Sequence, residues 1–359
     1  MIIRRKLFNI MAETNEKRLQ LAFASAYDYV QKAIPENRAV EVKGKDFIAW
    51  GNDNKYPEFL YSLFRDSATL QSIINGTTDF VCGNSVEGNN PNRNMTIEDM
   101  VGKLASDYLI YGCAYINVIR NMTGKVVEAY WVDARKIRTN EDNTVFFVSK
   151  DWSKSYGRVK TIVLPKYTPE SAAPSSIIMI KTTTSRDTYP IPFWNGAIRE
   201  ATIEVEIGKY HLSEICNNFN GSAIINFNNG IPEDKQKDEI ERAVNDKFTG
   251  SENAGRFILS FNDNKDSQTT IARLATDNYA DRYNTLEKSV RQKMFTSFRA
   301  NPNLFGIPTE NLGFSSEEYD SAFKLYNRTV VKPIQSAILR AFDSVGWVVS
   351  IAPFSIENN

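Results

Sequence analysis

The sequence predicts an α+β fold, because the spacing of the apolar residues changes twice along the chain. Before residue 110 and again after residue 195, apolar residues recur at steps of three and four, which is typical of amphipathic helices. Between about 113 and 182 the pattern alternates and is rich in β-branched residues, which predicts strands. A chain of 359 residues is long enough for one elongated domain or two compact ones.

The N-terminal half contains the predicted strands and several predicted helices. Helices are predicted at 12–35, 58–79 and 97–110, with a loop rich in Gly and Asn at 85–95. Residues 114–119 and 126–132 alternate on either side of a turn that contains Gly124, which predicts a hairpin. Further strands are predicted at 144–148, 160–164 and 176–181.

Two long amphipathic helices are predicted in the C-terminal half, at about 195–219 and 278–300. Each would be about 35 Å long at ~1.5 Å per residue. The apolar stripe of the first consists of Ile198, Ala201, Val205, Gly208, Leu212, Cys216 and Phe219, and that of the second of Tyr279, Tyr283, Leu286, Val290 and Met294. Ile203 and Ile207 point away from the first stripe, so this helix is expected to have neighbours on more than one side.

Three shorter elements are predicted around these long helices. Strands at 223–227 and 256–261 flank an acidic helix at about 232–248. The last helix is expected to begin at a capping box formed by Ser315 and Glu318. Pro333 is expected to kink it, because proline cannot donate the helical hydrogen bond and crowds the preceding turn.

Charge and composition exclude several classes of protein. Lys plus Arg and Asp plus Glu both number 43, so the formal net charge is zero and tight nonspecific binding to DNA is not expected. No apolar run reaches about 18 residues, so no membrane span is predicted, and Met1 to Phe23 lacks the apolar core of a signal peptide. The three cysteines stand far apart and are expected to be buried, reduced thiols.

The search for catalytic chemistry finds no constellation of residues that predicts an enzyme. The sequence has no GxxxxGK[ST] phosphate loop, no GxSxG elbow and no HExxH helix. His211 is the only histidine, and its position within a polar helix face favours a solvated or interface residue over a catalytic base. Its spacing from Glu214 would suit two metal ligands, but nothing else marks a metal site. We therefore predict no catalytic residue, no metal and no cofactor.

Five stretches, taken in order, resemble the portal proteins of tailed bacteriophages, in particular those of phages or prophages of Bacteroidetes-type hosts. Each stretch is weak alone, and the resemblance depends on their order and spacing between about 47 and 343. The stretches are Trp50–Pro57 with Leu70–Asn75 and Val81–Gly83; Tyr111–Arg120 with Thr123, Gly124 and Val132–Arg138; Tyr189–Pro192; Phe219–Ser222 with Asn253–Arg256; and Leu304–Pro308 with Asn311–Gly313, Phe323, Pro333 and Ile334.

The resemblance implies a non-enzymatic virion protein that forms a homo-oligomeric ring, expected to be a dodecamer, at one vertex of the capsid. Double-stranded DNA would pass through the ring without sequence specificity. The implied protein partners are the terminase large subunit, the major capsid protein and a head-tail adaptor, with assembly in the bacterial host cytoplasm. An alternative is another structural protein of the head-tail connector, and a less supported one is an enzyme that uses His211.

The resemblance also implies a division of the chain into the parts of a portal subunit. Residues 1–193 would form an N-terminal wing, a mixed domain of helices followed by strands, and 316–359 a kinked C-terminal wing helix with a minimal or absent crown. The stem would consist of the helices at 194–219 and 277–300. Residues 220–276 would form a small α/β clip, and 301–315 the channel loop.

Within that division, two sets of residues are candidate functional sites. The candidates for the DNA channel are Lys288, Gln292, Arg299, Asn301, Asn303 and Asn311. Equally, these cations could pair with acids on the neighbouring subunit, such as Glu200 or Glu204. The candidates for docking terminase or adaptor are Glu233, Asp234, Lys235 and Lys237. The alternative for this second set is a solvated helix face in a subunit contact.

Overall fold

A computed structural model describes residues 34–152, 159–182, 187–216, 223–227, 257–261, 279–307 and 316–355, together with positions 236 and 239. The helix predicted at 12–35 and the capping residue Ser315 lie outside these residues, as does all of the acidic helix except positions 236 and 239, which are helical. The chain divides into two compact units. One comprises Met1–Thr202 with Arg291–Asn359, and the other comprises Ile203–Val290.

The helices of the first unit follow the predicted periodicity closely. They are α1 (Tyr56–Asp66), α2 (Ala68–Cys82) and α3 (Ile97–Tyr111). The single helix predicted at 58–79 is wrong in one respect, since Ser67 adopts an extended conformation and separates α1 from α2. The Ser67 side chain accepts a hydrogen bond from the Leu70 amide and so caps α2. The apolar spacing continues across this break, which is why the sequence pattern did not reveal it.

The described residues of the first unit form three sheets. The strands are β1 (Ala39–Glu41), β2 (Ile48–Trp50), β3 (Ser85–Gly88), β4 (Cys113–Arg120), β5 (Val126–Val132), β6 (Ile137–Thr139), β7 (Val145–Val148), β8 (Ile162–Pro165), β9 (Ser175–Lys181) and, near the C-terminus, β12 (Val349–Ala352). Their order is β1-β2-β6-β7-β8 in the first sheet, β5-β4-β9 in the second and β12-β3 in the third. The predicted hairpin is confirmed as β4 and β5, and the three further predicted strands are confirmed as β7, β8 and β9.

The short strands at the two ends of the unit were not predicted. The segment 85–95 was expected to be a loop, but its first residues form β3, which pairs antiparallel with β12. The Asn84 amide extends this ladder by donating to the Ala352 carbonyl. Both strands are short, and their partners are more than 250 residues apart in the chain. Local alternation does not encode such a pairing, because only the tertiary fold brings the two segments together.

Two long helices connect the units, and the second unit also contains a pair of strands. The helices are α4 (Ile198–Cys216) and α5 (Tyr279–Ser297), and the strands are β10 (Ala223–Phe227) and β11 (Phe257–Phe261). All four elements were predicted, and the strands pair in parallel. Two parallel strands need a crossover segment between them, which agrees with the helical conformation at positions 236 and 239.

The buried sides of the long helices differ in part from the predicted stripes. Val290 and Met294 are buried, as expected. In contrast, Leu212 is 62% exposed, while Ile207, which was expected to point away from the stripe, is only 8% exposed. The periodicity identifies an amphipathic helix correctly, but which of its apolar residues are covered depends on the neighbouring elements.

The C-terminal helical segment runs through Pro333 without a break. It consists of α6 (Ser316–Tyr326), a π-helix (Asn327–Val331) and α7 (Lys332–Asp343). Pro333 lies in the first turn of α7, where its missing N–H is tolerated. The π-helix directly before it changes the hydrogen-bonding pattern where the proline ring would crowd the preceding turn. The π-helix directly precedes the proline at which the kink was predicted, and the kink itself stays a prediction.

A buried arginine joins the sheets to the helices of the first unit. Arg138 is 0% exposed and donates to the Oδ1 atom of Asn54 at 2.5 Å and to the Asn54 carbonyl at 2.7 Å. It also donates to the carbonyl oxygens of Arg135 and Ile137. The guanidinium lies over the Trp152 ring, 5.0 Å from its centroid. These contacts link the turn before α1 to β6 and to the segment after β7.

The turn that receives Arg138 is itself strained and is secured by aromatic packing. Asn54 has φ of 61° and its Oδ1 accepts from the Trp50 amide at 3.0 Å. Trp50 stacks on Tyr189, with ring centroids 4.4 Å apart. The Tyr189 hydroxyl donates to the Ile48 carbonyl and accepts from the Thr139 amide. Three of the five sequence stretches described above therefore meet at this one buried cluster.

Replacing Arg138 should cost much of the stability of the first unit. Arg138→Met keeps the apolar bulk but leaves the carbonyl oxygens of Asn54 and Ile137 without their donor. We therefore expect the free energy of unfolding to fall by about 3–5 kcal/mol. The measurement is urea unfolding at fixed protein concentration, because assembly would make stability depend on concentration. Arg65→Met is the control: its ion pair with Asp66 is exposed and should contribute less than about 1 kcal/mol. Equal losses of unfolding free energy in both variants would contradict the structural role of Arg138.

Candidate functional site

The end of α5 is held by a left-handed arginine and a buried phenylalanine. The Ala300 amide donates to the Phe295 carbonyl at 2.9 Å, and Arg299 has φ of 53°. Glycine is the usual residue at this position after a helix, and another residue there costs about 1–2 kcal/mol. Phe298 is fully buried, stacks on Trp194 and meets the edge of Phe193. The position of Arg299 is therefore set by the packing directly before it.

The segment after Arg299 begins as an ordered turn. Pro302–Phe305 form a 3-10 helix, and the Asn301 side chain accepts a hydrogen bond from the Asn303 amide at 3.0 Å. Gly306 ends the turn in the left-handed conformation, with φ of 74°. The part of the predicted channel loop that the structure describes is therefore a capped turn, and the Asn301 carboxamide oxygen contributes to it.

Phe305 anchors this turn in an aromatic cluster, which consists of Phe80, Phe295, Phe305, Phe323, Tyr326 and Phe354. A Cβ atom at Gly76 would lie 2.9 Å from the Phe305 ring, so the ring packs directly on the α2 backbone. The Tyr326 hydroxyl is hydrogen-bonded to Thr77 at 2.7 Å, and burial raises the pKa of Tyr326 to about 12. The cluster thus ties the end of α5 to α2 and to the C-terminal helical segment.

The predicted channel cations are at the surface of the described chain. Lys288 and Gln292 are exposed and stand one turn apart on α5, away from the buried Val290 and Met294. Arg299 is also exposed, beyond the end of the helix. Asn301 and Asn303 are half-buried in the turn described above. Asn311 lies outside the described residues.

Arg299 borders a small cleft with a mixed lining. The cleft has a volume of about 140 Å³ and is lined by Tyr108, Thr182, Phe193, Arg299, Thr329, Val330, Pro333 and Ile334. The guanidinium therefore lies beside the π-helix and the start of α7 as well as at the end of α5.

One acid considered as a partner for the cations has a partner in its own chain. The Glu200 carboxylate lies 3.5 Å from the Nζ atom of Lys293, and its side chain is only 12% exposed. This ion pair joins the start of α4 to the last turns of α5. Glu204 is half-buried and also has an interaction within the chain.

The candidate docking residues Glu233, Asp234, Lys235 and Lys237 lie outside the described residues. His211 is half-buried on α4 and also interacts within its own chain. Among the residues that the structure describes, no three His, Cys, Asp or Glu side chains could together hold a metal ion. None of the described helices is both long and apolar enough to cross a membrane.

Several titratable groups with shifted pKa values lie in the core or at its edge. Burial raises the pKa of the Glu58 carboxyl, and the charge of Arg138, 3.8 Å away, opposes that shift. Burial likewise raises the pKa of Asp107, whose carboxylate accepts from the Trp131 indole at 2.9 Å. Burial also raises the pKa of the Cys113 thiol to about 12. These shifts accompany packing and point to no shared reactive centre.

Structural comparison finds the same fold in particles of gene transfer agents. A chain from a structure described as "Virion of native gene transfer agent (GTA) particle" is 16% identical, with a TM-score of 0.51 over 90% of this chain and 88% of that chain. One from "Neck of native GTA particle computed with C12 symmetry" is 14% identical, with a TM-score of 0.51 over 91% and 89%. One from "Neck of empty GTA particle computed with C6 symmetry" is 14% identical, with a TM-score of 0.50 over 83% and 85%.

Sequence comparison gives the family. No curated protein sequence matches significantly. The family described as "Phage portal protein" matches residues 86–345, a span that includes both long helices, the segment between them and the turn after Arg299. This match covers well over half of the chain. The protein belongs to the phage portal protein family.

Proposed function

We propose that this chain is one subunit of a homo-oligomeric ring that conducts double-stranded DNA through one vertex of a phage capsid. The family match over residues 86–345 is the observation that carries this proposal. The solved neck particles that share the fold were computed with C12 and C6 symmetry, which supports a ring of twelve subunits. The role is structural: the protein contributes a channel and docking surfaces and catalyses no reaction.

The portal parts are assigned to the chain as follows. Residues 1–193 and 316–359 form the wing, and the helices within 194–219 and 277–300 form the stem. The clip comprises residues 220–276, and the parallel pair β10 and β11 supports an α/β fold there. The channel loop comprises 301–315. Its first turn is anchored through Phe305 on the aromatic cluster, so movements of the loop would be transmitted to α2 and to α6.

The partners of the ring follow from this assignment. The clip docks the terminase large subunit during packaging and a head-tail adaptor afterwards, and the wing contacts the major capsid protein. Subunits join through two different surfaces, because a closed ring needs a heterologous interface. The exposed Leu212 and Leu286 on the two long helices provide apolar area for such contacts. The assembled ring resides in the virion.

The purified chain should form rings with an axial hole. The expected result in negative-stain images is a ring, with more than one subunit number possible because each interface is local. Light scattering over a wide concentration range provides the second measurement. A strictly monomeric species at all concentrations would count against the portal proposal, and a compact particle without a hole would favour another connector protein.

Replacing the exposed cations Lys288 and Arg299 should change either DNA packaging or ring assembly. If Lys288 and Arg299 line the channel, Lys288→Ala with Arg299→Ala should leave rings intact and change the amount of packaged DNA. If they contact the neighbouring subunit, the same variant should loosen the ring. Lys209→Ala is a matched control on α4, where the lysine pairs with Glu206 of its own chain. Unchanged assembly and unchanged packaging would exclude both roles.

The clip should carry the binding site for terminase. Reversing the charges of Glu233 and Asp234 to Lys should weaken binding of the terminase large subunit by at least about tenfold, since charge pairs at an interface contribute on this scale. Rings should still form, which negative-stain images can verify. The same reversal at Glu317 and Asp320, both exposed on α6 in the wing, is the control. Terminase affinity equal to that of the unmodified ring would remove this docking role.

A further inference from the structure

The C-terminal helical segment carries a row of exposed positive charges. Lys324, Arg328, Lys332 and Arg340 are all exposed, and they follow one another at steps of four, four and eight residues. The intermediate position, Ser336, is also exposed. We call these four cations the basic stripe. At ~1.5 Å per residue, the stripe extends over about 24 Å.

The buried side of the same segment lies opposite the stripe. Tyr326, Val330, Ile334 and Ile338 are buried and recur at steps of four, two residues out of phase with the cations. Two residues correspond to about 200° of rotation in an α-helix. The stripe therefore occupies the face that points away from the core, and none of the described residues buries it.

The π-helix limits the rotation of the stripe around the helix axis. In a regular α-helix, residues four apart drift around the axis by about 40° at each step, so a long row would turn toward the core. A π-helix holds more residues in each turn, because its hydrogen bonds join residues five apart. The π-helix at Asn327–Val331 lies between Lys324 and Lys332 and reduces this drift there. Lys332 and Arg340 both lie in α7, where eight residues drift by about 80°. Such π-helical turns occur frequently at functional sites.

The charges of the stripe are not taken up by ion pairs in the described chain, although the charge of Arg340 opposes the rise that burial causes in the pKa of Tyr108. None of the four cations makes a hydrogen bond or an ion pair with another residue that the structure describes. Between Ser321 and Phe342 the sequence contains no Asp or Glu at all. The negative end of the helix dipole accounts for Arg340 in the last turn, but it does not account for the three cations before it.

Two acidic residues lie at the N-terminal end of the stripe. Glu317 and Asp320 continue the same face at the start of α6, where the helix dipole favours acids. Two carboxylates within one turn could neutralise only one end of a row that is about 24 Å long. A linear polyanion with regularly repeated charge matches the whole stripe, and DNA carries one phosphate per ~3.4 Å along each strand.

We propose that the basic stripe is a contact surface for the DNA phosphate backbone, separate from the channel candidates on α5. The proposal rests on the proposed function, which brings DNA and the ring together, and adds a second place of contact on the wing. Each cation contributes a weak, sequence-independent contact, because backbone phosphates carry no base identity. The zero net charge of the chain is compatible with this surface, since the positive charge is concentrated locally.

The test compares two sets of substitutions that change the charge equally. The stripe variant carries Lys324→Gln, Arg328→Gln, Lys332→Gln and Arg340→Gln. The control variant carries the same substitution at four exposed lysines elsewhere in the first unit, namely Lys43, Lys45, Lys125 and Lys160. Binding of a short double-stranded DNA fragment is measured between about 50 and 200 mM salt, a range over which phosphate contacts change affinity strongly. Each protein is used in the assembly that it forms.

The stripe variant should bind DNA at least about tenfold more weakly at low salt. The dependence of log affinity on log salt should fall by about 0.9 for each phosphate contact removed, or about 3.6 for one fully engaged stripe. The control variant should keep the affinity and the slope. Two double variants, at Lys324 with Arg328 and at Lys332 with Arg340, should each show about half of the effect. They also serve as a check if the fourfold variant folds poorly.

Four outcomes would overturn the proposal. Equal losses in the stripe and control variants would show that only net charge matters, and no binding by the unmodified protein would exclude the surface. Loss of rings in the stripe variant alone would assign the stripe to a contact between copies. Intact rings with unchanged DNA binding would reject the stripe and leave the portal function standing, so the two proposals can fail separately.

Discussion

The burial of the Arg138 guanidinium is the constraint on which the first unit depends. A charged group inside a protein is tolerated only when its donors are satisfied, and here backbone carbonyls and the Asn54 side chain satisfy them. The nearest carboxylate, that of Glu58, is 3.8 Å away and half-exposed, so hydrogen bonds and the Trp152 ring carry most of the stabilisation. This requirement holds the turn at Asn54 in its left-handed conformation and connects β6 to the start of α1.

The aromatic cluster performs a second connecting role in the first unit. Phe305 packs on Gly76 in α2, while Phe295 and Tyr326 bring in α5 and α6. A change in the loop that follows Phe305 would therefore meet rigid, closely packed rings instead of solvent.

The net charge of the protein does not describe how its charges are distributed over the surface. A net charge of zero predicts weak nonspecific attraction to DNA, which suits a channel through which DNA must slide. The fold nevertheless collects four cations on one face of the C-terminal helical segment, opposite residues such as Ile334 and Ile338. The four-residue spacing is visible in the sequence, but the π-helix that lies within this row of residues is not.

The sequence by itself determined the fold class, the β4–β5 hairpin, both long helices, the strands β10 and β11 and the family resemblance. It also selected exposed residues on α5, since the polar side of an amphipathic helix follows from its periodicity. Only the tertiary structure decided the break at Ser67, the pairing of β3 with β12 and the burial of Ile207. It also decided that Arg138 is buried. Periodicity reports which side of a local element is apolar, whereas the neighbour that covers that side is set by contacts between distant residues.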